Sequence, residues 1–169
     1  MDYRLDIARK AANSETLNLN TTDVVQEIRD RTEGRGADVC VDAVGMEANR
    51  SPWEKLSNLL HLQAGTISVI KLCASAVRRG GIISIVGVYA SPYSNFPLGQ
   101  IFDKGVTIKM GQAPVQHYID ELLELVKTRK VILNDIVTHT LPLERAAHAY
   151  DIFLKKEDNC LKVILKPGG

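Results

Sequence analysis

No apolar run in this 169-residue chain approaches the roughly 18 residues that a membrane-spanning helix needs. The opening Met1-Asp2-Tyr3-Arg4 has no apolar stretch of the signal-peptide kind. Cysteine is scarce. Cys40, Cys73 and Cys160 are an odd, widely spaced set, which argues against a disulfide framework and for a reducing, cytoplasmic location. Charge of one sign is lacking too: with a net charge of +1 and mixed Lys, Arg, Asp and Glu, neither nucleic acid nor an anionic membrane is an expected partner. Neither G-x-G-x-x-G nor G-x-x-x-x-G-K-[ST] occurs, so no phosphate loop is expected. His61, His117, His139 and His148 lie far from one another and from the cysteines, with no C-x-x-C or H-E-x-x-H, so no metal ligand set is assigned. Nor do Ser and His form a recognisable triad, and no catalytic residue is assigned.

What is present is an ordinary globular composition, 45% hydrophobic and 24% charged, in a chain long enough for one core. Amphipathic segments alternate with short apolar runs. Leu5, Ala8 and Ala12 predict a helix over 3–12, and 15–19 a short strand. Asp23 with Gln26 three positions on is a helix start of the capping-box kind, and that helix stops at Gly34. Residues 38–44 form a β-branched run suited to a strand buried on both faces. After a polar stretch over 46–63, a helix is expected over about 65–79, ended by Gly80-Gly81, and a second buried strand over 82–88. Pro92 and Pro97 mark 89–99 as a loop. Residues 106–110 alternate apolar and polar, as an edge strand does. A helix over 116–128, a short strand at Ile136-Val137, a helix opened by Pro142 and a strand over 161–165 complete the pattern. Repeated strand–helix–strand units indicate an α/β fold with a mainly parallel sheet.

In open α/β sheets ligands bind beyond the carboxyl ends of the strands. That selects Asp42-Ala43-Val44-Gly45, Gly87-Val88-Tyr89 and Met110-Gly111-Gln112. Glycines there either make turns or let a flat ligand approach the main chain. Asp42, a carboxylate in an apolar strand, either binds a ligand hydroxyl or accepts loop backbone N–H groups. Lys162, a cation in a short apolar strand, either snorkels from an edge or faces an anion. Cys40 reads as a small core hydrophobe.

Several segments resemble one known family. Arg4 to Ala8, Gly36 to Gly45, and Arg79-Gly80-Gly81 through Val86-Gly87-Val88 are similar to the cofactor half of zinc-type medium-chain alcohol dehydrogenases. Leu141 to Glu144, Ala149-Tyr150 and Leu161 to Pro167 resemble the same family's C-terminal ending. Pro52 to Ser75, Phe96 to Gly99 and Met110 to Val115 are most similar to the branch containing glutathione-independent formaldehyde dehydrogenases. The resemblance implies an NAD-dependent enzyme in which hydride moves between an alcohol or aldehyde and nicotinamide, with zinc polarising the oxygen. It further implies that Asp42, Ala43, Val44 and Gly45 lie near adenosine, that Gly87, Val88, Met110, Gly111 and Gln112 line nicotinamide, that Arg4 sits by the ribose, and that Lys162 is near the pyrophosphate.

It also implies an incomplete doubly wound sheet with helices on both faces. On this reading residues 1–135 form a partial NAD-binding domain lacking the first strand and its glycine-rich turn, and 136–169 are a strand-helix-strand piece of the catalytic domain. The zinc ligands and the acidic ribose-binding residue would lie in a preceding N-terminal half, and Thr140 replaces an Arg found in related sequences. Without the two middle strands of the order 3-2-1-4-5-6, the 15–19 strand has no neighbour and the 38–44 strand becomes an apolar edge. Such an edge invites pairing, so a homo-oligomer is expected through that edge or the 106–110 edge. The expectation is therefore a C-terminal dehydrogenase fragment, inactive alone, with a non-enzymatic oligomerisation or binding module as the alternative.

Overall fold

The computed structural model describes residues 2–44, 67–89, 95–133 and 136–168. The chain divides into two compact units, one of residues 19–113 and one of residues 1–18 with 114–169.

In the first unit, α2 (Val24–Arg31) is capped as its sequence predicts, the Asp23 carboxylate accepting the Gln26 backbone N–H at 3.1 Å. Strand β1 (Ala37–Asp42) pairs in parallel with β2 (Val77–Ile85), which pairs in parallel with β3 (Thr107–Met110). Helix α3 (Ser68–Ala76) and helix α4 (Leu98–Lys104) supply Ile70, Cys73, Ala74 and Ile101 to a core with Val77, Ile83 and Ile85. The pleat places Cys40, Ile83 and Ile108 in one register row, packed in or against that core. Val39 and Val41, which alternate with Cys40 and so point to the other face, are 51% and 60% exposed. The strand expected to be buried on both faces is thus buried on one.

In the second unit, β4 (His139–Pro142) and β5 (Val163–Lys166) pair in parallel. They are joined through a 3-10 turn (Leu143–Arg145) and α6 (Ala146–Lys155), whose Ala149 and Ile152 are buried. Two further helices belong to this unit, α1 (Asp2–Ala12) and α5 (Val115–Lys127). The Tyr3 hydroxyl donates to the Cys160 carbonyl at 3.4 Å.

Several expectations need correction. Residues 15–19 form no strand; an isolated strand has no partner for its backbone groups, and none of the described strands is hydrogen-bonded to this segment as a ladder. Gly80-Gly81 do not end a helix. Helix α3 stops at Ala76, and both glycines lie inside β2 at a register shift where Ala37 faces Val77 but Val39 faces Ile82. Gly80 has φ +65°, and a Cβ on Gly81 would stand 2.6 Å from Val77 Cγ2. A bulge uses the same glycine freedom as a helix end. Strand β2 ends at Ile85 rather than 88, and α4 occupies residues assigned in part to a loop. Pro142 both closes β4 and caps the 3-10 turn that leads into α6, and the strand expected at Ile136-Val137 begins at His139. Lys162 precedes β5 instead of lying inside it. The polar stretch 46–63 and Gly45 lie outside the described residues.

Candidate functional site

The register sets Asp42, Ile85 and Met110 side by side, so all three strands finish at one level. Beyond that level lies a cavity of about 300 Å³ lined by Ile85 to Tyr89 and Met110 to Ala113. Five residues singled out from the sequence therefore share one wall: Gly87, Val88, Met110, Gly111 and Gln112. The two glycines play opposite parts. A Cβ on Gly87 would stand 2.3 Å from the Val44 carbonyl oxygen and 3.1 Å from Asp42 Oδ1, so only glycine fits between the two strand ends. Around Gly111 a Cβ would meet nothing within 4 Å, leaving open main chain on the cavity side of the sheet.

Asp42 is fully buried. One carboxylate oxygen accepts the Val44 backbone N–H at 2.9 Å and the other accepts the Tyr89 hydroxyl at 2.5 Å. Its backbone carbonyl also accepts from the N–H groups of Val86 at 2.8 Å and Gly87 at 2.9 Å. Of the two roles open to this carboxylate, the geometry displays the one toward the loop backbone. Tyr89 belongs to a strand end that the sequence selects, but its pairing with Asp42 is not readable there, because the two residues lie 47 positions apart. Ala43 and Val44 follow Asp42 as exposed residues, Val44 fixed through its N–H.

Arg4 and Lys162 belong to the other unit. The Arg4 guanidinium donates to the Tyr3 hydroxyl at 3.2 Å and sits 5.8 Å from the Tyr3 ring centre. Lys162 is exposed and lines a cavity of about 220 Å³ with Ala149, Tyr150, Phe153, Val163 and Leu165. Its backbone is fixed: the Thr138 and His139 N–H groups each donate to its carbonyl at 3.1 Å. Among the described residues no three His, Cys, Asp or Glu side chains converge as a metal site, so these residues do not fit zinc.

Cys40 and Cys73 meet across the β1–α3 contact. The Cys73 thiol hydrogen-bonds to Cys40, and this, aided by the charge of Lys104, lowers the Cys40 pKa below its ordinary value. The same hydrogen bond, then burial, drives that of Cys73 upward.

No family model matches the chain. It is 46% identical, over 99% of its own length, to the uncharacterized zinc-type alcohol dehydrogenase-like protein AdhB of Bacillus subtilis, and covers 44% of that protein. It is 30% identical to an alcohol dehydrogenase of Cupriavidus necator, covering 98% of this chain and 40% of the relative. Among solved structures, alcohol dehydrogenase TADH from Thermus sp. ATN1 superposes with a TM-score of 0.77 at 30% identity, over 99% of this chain and 43% of that one. The chain thus spans well under half the length of the relatives it matches. With parallel strands ending at one glycine-lined level, these likenesses show that the chain belongs to the zinc-type alcohol dehydrogenase family and corresponds to the C-terminal portion of such a protein.

Proposed function

We propose that the chain forms the larger part of the nicotinamide-cofactor site of an NAD-dependent alcohol or aldehyde dehydrogenase. It is inactive without the zinc-bearing remainder. The observation that carries this reading is the cavity beyond the sheet's carboxyl ends, where Gly87, Val88, Met110, Gly111 and Gln112 converge. Bound there, NAD supplies a hydride acceptor. The chain's own residues offer a flat, open main chain at Gly111 and apolar flanks at Val88 and Met110 for a planar ring. Asp42 contributes by holding Val44 and Tyr89, which fixes the strand-end loops. Ala43 and Val44 are assigned to the adenosine side, and for Gly45, Arg4 and Lys162 the roles are those that the family resemblance implies. We assign residues 1–135 to the cofactor domain and 136–169 to the catalytic domain, and place the chain nearest the formaldehyde dehydrogenase-like branch, in the cytoplasm.

Titration calorimetry of the folded chain with NAD⁺ tests the reading. Saturable heat that Gly111→Leu removes is the expected result. No heat at millimolar cofactor from a folded sample overturns it. The second reading, a non-enzymatic oligomerisation module, draws on the exposed Val39 and Val41 of the outer strand β1.

A further inference from the structure

A second cavity, of about 320 Å³, lies at the other end of the three-stranded sheet, beside the amino-terminal residues of β1 and β2. Its walls carry five cations: Arg29, Arg35, Arg78, Arg79 and Lys104. Two carboxylates answer them directly. Asp38 takes Arg35 at 2.6 Å and Arg78 at 2.6 Å, and Asp103 takes Arg79 at 2.7 Å. Glu33 adds a weaker attraction on Arg35. Among the described residues, five cations against three carboxylates leave two positive charges uncompensated.

Lys104 has a separate task. Its ammonium donates to the carbonyls of Ala74, Ser75 and Val77 at 2.7, 3.0 and 2.8 Å, satisfying the end of α3. That removes the negative end of the helix from the cavity. Arg29 is the group left over: among the described residues its guanidinium makes no hydrogen bond or ion pair. Its place in the last turn of α2 explains one positive charge, but not four more in the same concavity. Burial first, then repulsion from Arg29 and, less, from Arg79, lowers the Lys104 pKa.

We propose that this cavity binds a small molecule bearing a diphosphate group. A diphosphate carries enough negative charge to offset the two uncompensated cations. The planar fork of a guanidinium matches phosphate oxygens in pairs, and Arg29 presents all of its donors unused. The cations line a concavity sized for one small-molecule head group, not an extended stripe along which a nucleic-acid backbone could run. The glycines close by permit the tight chain path: Gly36 has φ +92°, and a Cβ there would stand 2.6 Å from the Ala76 carbonyl oxygen. The site is independent of the cofactor cavity and of the reading given to it.

Inorganic pyrophosphate is the probe, titrated into the ¹⁵N-labelled full chain in low-chloride buffer and followed by amide shifts. Saturable shifts at Gly34 and Gly36, weakened at least about tenfold by Arg29→Gln, are expected. Circular dichroism on the variant confirms that an exposed helix position has been changed without loss of fold. Three results overturn the proposal: no saturation at millimolar pyrophosphate, shifts confined to Gly87 and Gly111, or equal displacement by chloride. Tighter, Arg29-dependent binding of a single-stranded oligonucleotide also overturns it, in favour of a nucleic-acid surface.

Discussion

The Tyr89 hydroxyl donates to the buried Asp42 carboxylate at 2.5 Å, tying the segment after β2 to the end of β1. Asp42 also holds the Val44 N–H through its side chain and the Val86 and Gly87 N–H groups through its carbonyl. One residue therefore joins two strand ends at the level where the strand-end cavity begins. A buried carboxylate is tolerated in an apolar strand only if both oxygens are engaged, and here they are. Tyr89→Phe removes one of those donors and leaves an oxygen of Asp42 unmatched in the interior. The expected cost is about 1–3 kcal/mol in urea unfolding, without a change in the slope of the transition. Unchanged stability would mean that water replaces the phenol and that the contact organises nothing.

The two cavity glycines should separate folding from binding. At Gly87 an added methyl collides with the Val44 carbonyl oxygen, so Gly87→Ala should lower stability by about 1–3 kcal/mol. At Gly111 the space is empty, so Gly111→Leu should leave unfolding unchanged while filling the place where a ligand would lie. Parallel urea melts and NAD⁺ titrations check both. Equal destabilisation by the two variants would remove the distinction.

The fold was legible where local chemistry and tertiary demand agreed. Asp23 and Gln26 announced the start of α2, and the β-branched runs around Val39 and Ile83 announced strands. It was illegible where one residue type serves two conformations. Gly80-Gly81 looked like a helix stop and is a bulge inside β2, since positive φ serves either. Pro97 looked like loop chemistry and stands at the N-terminus of α4, a position that proline also favours. Residues 15–19 could not become a strand alone, because strand identity depends on a neighbour elsewhere in the chain. Of the candidate site, the strand-end glycines could be located from spacing, whereas the Asp42–Tyr89 pairing depends on two residues 47 positions apart.

Asp38 supplies a pH dependence. The hydrogen bonds from Arg35 and then Arg78 lower its pKa from 3.8 to about 2. A carboxylate depressed by folding contributes stability that is present above its unfolded pKa and lost as pH falls through its folded pKa. The contribution should therefore hold above about pH 4 and disappear toward pH 2. Carboxyl NMR of Asp38 should titrate with a midpoint near 2, and Asp38→Asn should flatten the acid limb of the stability curve between those limits. A midpoint at the ordinary value would show that solvent screens both arginines at this exposed position.

The outer strand β1 should govern self-association. Val39 and Val41 are exposed on a strand whose only ladder partner among the described residues is β2. Lysines on edge strands oppose pairing with another chain, so Val39→Lys with Val41→Lys should shift the purified protein from oligomer to monomer in light scattering at micromolar concentration. A wild-type monomer under the same conditions would remove the premise.

The thiols should differ in reactivity by position. Cys73 and Cys160 are buried, and Cys40 is half-buried on β1. The thiolate is the reacting species, and the hydrogen bond from Cys73, with the charge of Lys104, favours it at Cys40. Brief iodoacetamide treatment of the native protein near pH 8, read by peptide mass spectrometry, should label Cys40 ahead of the other two. Cys73→Ala removes the donor and should slow labelling at Cys40, even though the smaller side chain opens space beside it. Faster labelling in that variant would mean that access, not thiolate stabilisation, controls the rate. Lys104→Met separates the remaining contribution, since it removes the charge along with the three carbonyl contacts at the end of α3. A fall in the Cys40 rate together with fraying of that helix is the expected pair of effects.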